Sequence, residues 1–487
     1  MSLRFVLRFL SRGVYPHVLK HSMCTSAPFS YAMRPTTEIP CRLDSPRTYP
    51  TESEVFRQWK HWNDDYELDH APAGGIDIGA LVDLSKHVLA VDENPSVEYF
   101  TYGGHNSLYT VRFKHTALLA RFPVPDARDA DRIEPAVASM LYARHILELP
   151  APEVLAWSNA NDNPLRAPFI LQRLFEPAHP AAHKYSMTLN ADLARCHAAL
   201  MRPLPTHLHG IGQLGLAPHA ADPADAASYI LRPLSLRGER IYELPYPVNT
   251  FHAPSLLLED IWRARWQQEM ARSLDDSPHG LDARHWGREA GNHFPGCSRD
   301  AFLAVAEDMR VVIERALETA RAHPEHMTPC LVNLDFAFRN VLVRPDDPDR
   351  LGLLIDWDDV YVMPLSLGIV FPDAYVFNPG CQSAYYNDVQ EDGFAQFPLR
   401  FTHELLDING ITDRAERIEA LEANMRVEST KVLDTYCATL TQHDPRLADN
   451  TLWETRRVMM KVHDLLREGI VSWWLQRDWL KSEARRG

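Results

Sequence analysis

The chain has 487 residues, 45% hydrophobic and 24% charged, enough for one large or two medium domains with real cores. Its formal charge of −15 argues against nucleic acid as a partner, because a phosphate backbone calls for a basic surface. No apolar run reaches roughly eighteen residues, so no transmembrane segment is expected.

Met1 to Met33 contain Arg4, Arg8 and Arg12 but no Asp or Glu, and set Leu3, Val6, Leu7 and Leu10 on one helical face. This amphipathic, acid-poor profile predicts a mitochondrial transit peptide and tail over residues 1–40, and hence a mitochondrial address. With Lys20 and Arg34 set against Glu38, removing that segment leaves a charge of about −19. Seven scattered cysteines (Cys24, Cys41, Cys196, Cys297, Cys330, Cys381, Cys437) lack Cys-x-x-Cys spacing and read as reduced and mostly structural.

Two β-rich stretches, Val97 to Thr101 and Ser107 to Phe113, flank Tyr102-Gly103-Gly104 and predict a hairpin. Its glycines suit either an ordinary turn or a loop whose N–H groups approach phosphate oxygens. A strand carrying Arg121 should follow, then a helix from about Pro135 to Leu147. Proline at the first helical position would make Glu134 the N-cap. Phe169 to Leu174 reads as an apolar strand.

From Met201 to Pro254 prolines and glycines break the pattern, and Gly210-Ile-Gly212-Gln-Leu-Gly215 reads as a structural turn: no strand immediately precedes it and no Lys-Ser/Thr follows. His207 with His209, and His179 with His183, lack a third ligand at convincing spacing and are read as isolated histidines. Helical periodicity marks Ala191 to Leu200, Ser255 to Ser273, Asp300 to Ala322, Thr412 to Thr441 and Trp453 to Trp479. In the third, Leu303, Ala306, Ile313, Leu317 and Ala320 form a stripe. Trp453, Trp473, Trp474 and Trp479 are favoured as core residues over an aromatic pocket for a quaternary amine.

The most informative segment is Asn333-Leu-Asp335-Phe-Ala-Phe-Arg-Asn340, followed by a Pro/Asp turn, the apolar run Leu353-Leu-Ile355 and Asp356-Trp-Asp358. Short apolar strands should flank Asp335, and a hairpin should return the second acid. Asp335 can orient or deprotonate an attacking hydroxyl, while Asn340 and Asp356 offer hard oxygens to magnesium on a nucleotide's phosphates. Asp358 is open to a metal, acceptor or structural role.

On this motif, and on Gly103-Gly104-His-Asn106-Ser107, Leu118-Leu-Ala-Arg121-Phe-Pro123 and Leu149-Pro-Ala-Pro152-Glu-Val154, the chain resembles the aminoglycoside phosphotransferase and choline kinase-like family. Fungal members, including a mitochondrial group named for altered inheritance of mitochondria, have similar segments in this order. The resemblance covers about residues 70 to 480. It implies an α+β, bilobal, protein kinase-like fold with a small β-rich N-lobe (66–175) and a larger, mainly helical C-lobe (176–487), in which a variable insertion (about 201–254) helps shape the acceptor site.

The resemblance also implies ATP and Mg2+ as cofactors. Gly103, Gly104, Asn106 and Arg121 would lie along the nucleotide's phosphates, and Gln172 and Leu174 near its base. Departures from the family pattern are Asn333 and Leu334 in place of His and Gly, and Ala136 in place of the acid that should pair with Arg121. The expected function is transfer of the γ-phosphoryl group of ATP to the hydroxyl of a small molecule. The alternative is a catalytically impaired binding or regulatory protein in mitochondria.

Overall fold

The computed structural model describes residues 76–102, 106–123, 133–176, 186–218, 220, 222–232, 258–274, 299–336, 340–369 and 434–486. The chain divides into two compact units. The first holds the described residues within Met1–Lys184, Gly215–Ile230 and Arg339–Asp359; the second holds those within Tyr185–Leu214, Leu231–Phe338 and Val360–Gly487. The class is α+β: an antiparallel sheet dominates the first unit and helices the second. The transit-peptide segment, Gly103, Gly104, His179, His183 and residues 412–433 lie outside the described residues.

The first unit opens with helix α1 (Ile78–Leu89), capped by Asp77, whose carboxylate accepts the Ala80 N–H at 3.0 Å. Strands β1 (Ser96–Tyr102), β2 (Asn106–Arg112) and β3 (Ala117–Pro123) precede helix α2 (Ile133–His145). Strands β4 (Val154–Ser158) and β5 (Phe169–Arg173) complete a sheet of order β1-β2-β3-β5-β4, antiparallel throughout. Alternation on β2 turns Tyr109 inward, where it meets Tyr99 edge-on at 5.1 Å and Phe122 at 5.6 Å. Ile78, Leu81 and Leu84 of α1 belong to the same core.

Helix α2 begins at Ile133, so Pro135 is its third residue and Glu134 lies inside the first turn rather than capping it. Proline is tolerated there because the first N–H groups of a helix have no intrahelical acceptor. Glu134 is buried and accepts the Leu216 N–H at 3.0 Å.

In the second unit, helix α3 (Met187–Leu200) begins at a Ser186 cap. The glycine segment continues into strand β6 (Gln213–Leu216), which pairs with β7 (Tyr229–Arg232). Gly212 bridges to Val362, and a Cβ there would stand 2.1 Å from the Arg232 carbonyl oxygen, so close backbone approach is the reason for this glycine. His209 donates from Nε2 to the Leu204 carbonyl at 2.9 Å.

Helices α4 (Leu258–Leu274) and α5 (Arg299–Ala322) follow. The buried stripe of α5 is centred on Phe302, Ala306, Met309, Ile313 and Leu317, and leaves Leu303 half-buried at its margin. After strands β8 (Pro329–Asn333), β9 (Val341–Val343), β10 (Leu351–Leu354) and β11 (Val360–Pro364), β8 pairs with β11 in the second unit and β9 with β10 in the first.

The predicted helix from Trp453 to Trp479 is instead three helices: α6 (Asn450–Glu468), α7 (Ile470–Leu475) and α8 (Arg477–Arg485). Gly469, with φ of 87°, ends α6 because a helix cannot continue through a left-handed residue. Trp453, Trp473 and Trp474 are buried, and Trp473 stacks on Phe302 at 6.4 Å. These tryptophans are core residues. Cys196, Cys330 and Cys437 are free and buried, and burial pushes the thiols of Cys196 and Cys330 up to about 12.

Candidate functional site

The hairpin β9–β10 places Asn340 and Asp356 at the same end of one ladder. Leu354 pairs with Val341, and one step further the Ile355 N–H donates to the Asn340 carbonyl at 2.8 Å. Asn340 is buried and Asp356 exposed. Asp356 has φ of 63°, in the left-handed region that Asp, Asn and Gly enter most readily. Between the two acids, Trp357 is fully buried and donates from its indole N–H to the Leu354 carbonyl at 2.9 Å. An apolar anchor thus fixes the turn from which both carboxylates project.

Asp358 receives Arg121 from β3. One guanidinium nitrogen lies 3.0 and 2.8 Å from its two oxygens, and the Asn106 amide donates to the second oxygen at 3.3 Å. Arg121 is only 8% exposed. Burial works to lower its pKa, but the charges of Asp358 and Asp356, with the hydrogen bonds to Asp358, prevail and hold it above its ordinary value. The acid opposite Arg121 therefore comes from the segment after β10. The position expected to supply it, Ala136, is buried in α2, and Glu134 is turned to Leu216.

Gln172 lies on β5, between β3 and the edge strand β4, paired with Leu119 on β3 and Val154 on β4. Its side chain is buried, and its Oε1 finds no hydrogen-bond partner among the described residues. The Leu174 N–H donates to the Ala117 carbonyl at 2.9 Å. Arg121, Gln172, Asn340, Asp356 and Asp358 all belong to the first unit.

In the second unit, Asp335 follows β8 and is partly exposed. Its backbone N–H donates to Oδ1 of Asn333 at 2.9 Å, so the amide closes a local turn. The next residue, Phe336, is buried against the His197 ring, with centroids 5.3 Å apart. The Gly368 carbonyl can only accept, so His197 carries its proton on Nε2 and donates to it at 2.8 Å. Its Nδ1 then accepts from the Tyr436 hydroxyl at 2.9 Å. Burial, helped by the charge of Arg456, lowers the imidazole pKa to about 4, against a smaller opposing effect from the Gly368 hydrogen bond. Sequence reasoning missed His197; an isolated histidine in a helix gives no sign of what its ring will meet.

The chain matches no protein-family model. It is 33% identical over 99 residues to subtelomeric hrmA-associated cluster proteins of Aspergillus fumigatus strains CEA10 and Af293. That match covers 20% of this chain and 19% of each relative, so about a fifth of the relatives' length is spanned. Among solved structures, a thermostable mutant of aminoglycoside phosphotransferase APH(4)-Ia in complex with AMP-PNP and hygromycin B aligns with a TM-score of 0.38 and 12% identity. It covers 84% of this chain and 98% of that one. The GDP and kanamycin complex of APH(2")-IIia aligns with a TM-score of 0.33 and 11% identity, covering 79% and 97%. Among the described residues, no helix is long and apolar enough to cross a membrane.

Proposed function

We propose that the chain is a kinase-like phosphotransferase of the aminoglycoside phosphotransferase type, which transfers the γ-phosphoryl group of ATP to the hydroxyl of a small molecule, in mitochondria. The observation that carries this reading is the β9–β10 hairpin, which holds the Asn340 amide and the Asp356 carboxylate at one end of a ladder. An amide oxygen and a carboxylate carried at the end of one ladder are hard-oxygen donors of the kind Mg2+ takes, and the bound ion would neutralise charge on the phosphates. Arg121, kept cationic beside Asp358, adds positive charge on β3. The unpartnered Oε1 of Gln172 is a group that an adenine amine could satisfy. Asp335, held through its backbone by Asn333, would orient the acceptor hydroxyl and take its proton.

Thermal-shift titration with ATP, with and without magnesium, tests the nucleotide half of this reading, because a ligand that binds only the native state raises the melting temperature. Asp335→Ala tests the chemical half: ATP turnover should vanish while nucleotide stabilisation persists, and unchanged turnover would sink the assignment. A second reading, a nucleotide-binding or regulatory protein without efficient turnover, is favoured by Ala136 and by the commitment of Arg121 to Asp358. Stabilisation by MgATP without ATP consumption across a panel of hydroxylated and aminated metabolites would select it.

A further inference from the structure

We infer a second metal site, for a zinc-class transition-metal ion, in the helical unit where the end of α5 meets the start of α6. The 3-10 turn Pro324–Met327 follows α5 and presents His323, Glu325 and His326, whose ligand atoms lie within 4.8 Å of one another. His323 Nδ1 is 3.3 Å from Glu325 Oε1, and His326 Nε2 is 3.7 Å from the same oxygen. A fourth oxygen, Oδ2 of Asp449, stands 3.1 Å from His326 Nε2. Donors bound at about 2.0–2.2 Å around a tetrahedral zinc are separated by little more than 3 Å, so the three contacts at 3.1–3.7 Å are close to edges of such a site, while Asp449 adjoins it through His326 and would swing its carboxylate inward to complete it. Two imidazoles with carboxylates form a borderline donor set that suits zinc better than magnesium or calcium.

The hydrogen bonding behind His326 supplies an independent reason. The Thr455 hydroxyl donates its single proton to the Thr451 carbonyl at 2.9 Å. It can therefore only accept from His326 Nδ1, which is 3.2 Å away. That fixes the proton of a neutral His326 on Nδ1 and turns the Nε2 lone pair toward Asp449 and Glu325, both of which present only acceptors. A bound cation relieves this opposition, and the Nδ1–H to hydroxyl contact is the outer-shell bond that orients a metal-binding histidine. Asp449 is positioned as well: Oδ1 accepts the Thr451 N–H at 2.8 Å as the cap of α6, leaving Oδ2 directed at His326. The ion would staple the turn after α5 to the first turn of α6.

The test uses the full chain stripped with EDTA and titrated with zinc chloride alone by calorimetry. The expected result is one zinc per chain that disappears, with affinity reduced about a hundredfold or more, in the double variant His323→Gln, Glu325→Gln. Both side chains are partly or largely exposed, so the variant should still fold. Thr455→Val should weaken the same zinc about tenfold by removing the outer-shell acceptor. Counting only zinc lost in the double variant separates this site from any bound at Asn340 and Asp356. No zinc uptake by the wild-type chain, or equal uptake by the double variant, overturns the inference.

Discussion

The hairpin carrying Asp356 and Asp358 and the loop carrying Asp335 fix their acids by opposite means. Around the hairpin the restraint is ionic: Asp358 is held by a nearly buried guanidinium, with the Asp356 charge adding to the field. Around the loop the contacts among the described residues that bear on its backbone are neutral: an Asn333 amide holds the Asp335 N–H, and an uncharged His197 backs Phe336. An ionic restraint sets local potential as well as position, which suits groups that face phosphate charge. A neutral one sets position alone.

The comparison is broken most forcefully by Asp358→Ala. Leaving Arg121 buried and unpaired should cost about 3 kcal/mol or more in urea unfolding, whereas Arg121→Met with Asp358→Leu should recover most of that loss. Similar losses in the single and double variants would show that the pair acts through packing and not through charge.

The neutral side has its own signature in acid. His197 has a folded pKa of about 4 against 6.5 in the free side chain, so its contribution is complete above pH 6.5 and is lost as pH falls through 4. Stability should drop by roughly 3 kcal/mol across that window, as followed by chemical denaturation at each pH. His197→Gln should flatten the profile there, and an unchanged profile would remove the neutral-imidazole account.

The smallest effect belongs to Asn333→Ala, which removes the acceptor of the Asp335 N–H and should cost about 1–2 kcal/mol. It should lower turnover with little change in nucleotide affinity. A loss as large as that for Asp358→Ala would erase the distinction between the two regions.

Much of this arrangement could be read from residue order. An apolar run identified the strand at Phe169, the order of β-rich segments identified the one carrying Arg121, and apolar runs separated by a Pro/Asp turn identified the hairpin that aligns Asn340 with Asp356. Contacts between distant residues could not be read in this way. Arg121 and Asp358 are 237 residues apart, Glu134 and Leu216 are 82 apart, and no local pattern ties either pair. The Gly469 break was hidden for a different reason: apolar spacing runs on through it, and only its backbone angle shows that the helix stops.

The left-handed backbone of Asp356 makes that position its own control in a saturation library. Glycine and asparagine relieve or tolerate the conformation, so chains carrying them should reach the same folded yield while presenting no carboxylate. β-branched residues burden the fold as well as removing the acid. Selection for abundance and selection for activity would therefore rank the substitutions at residue 356 in different orders, and the gap between the two rankings for glycine measures the carboxylate alone.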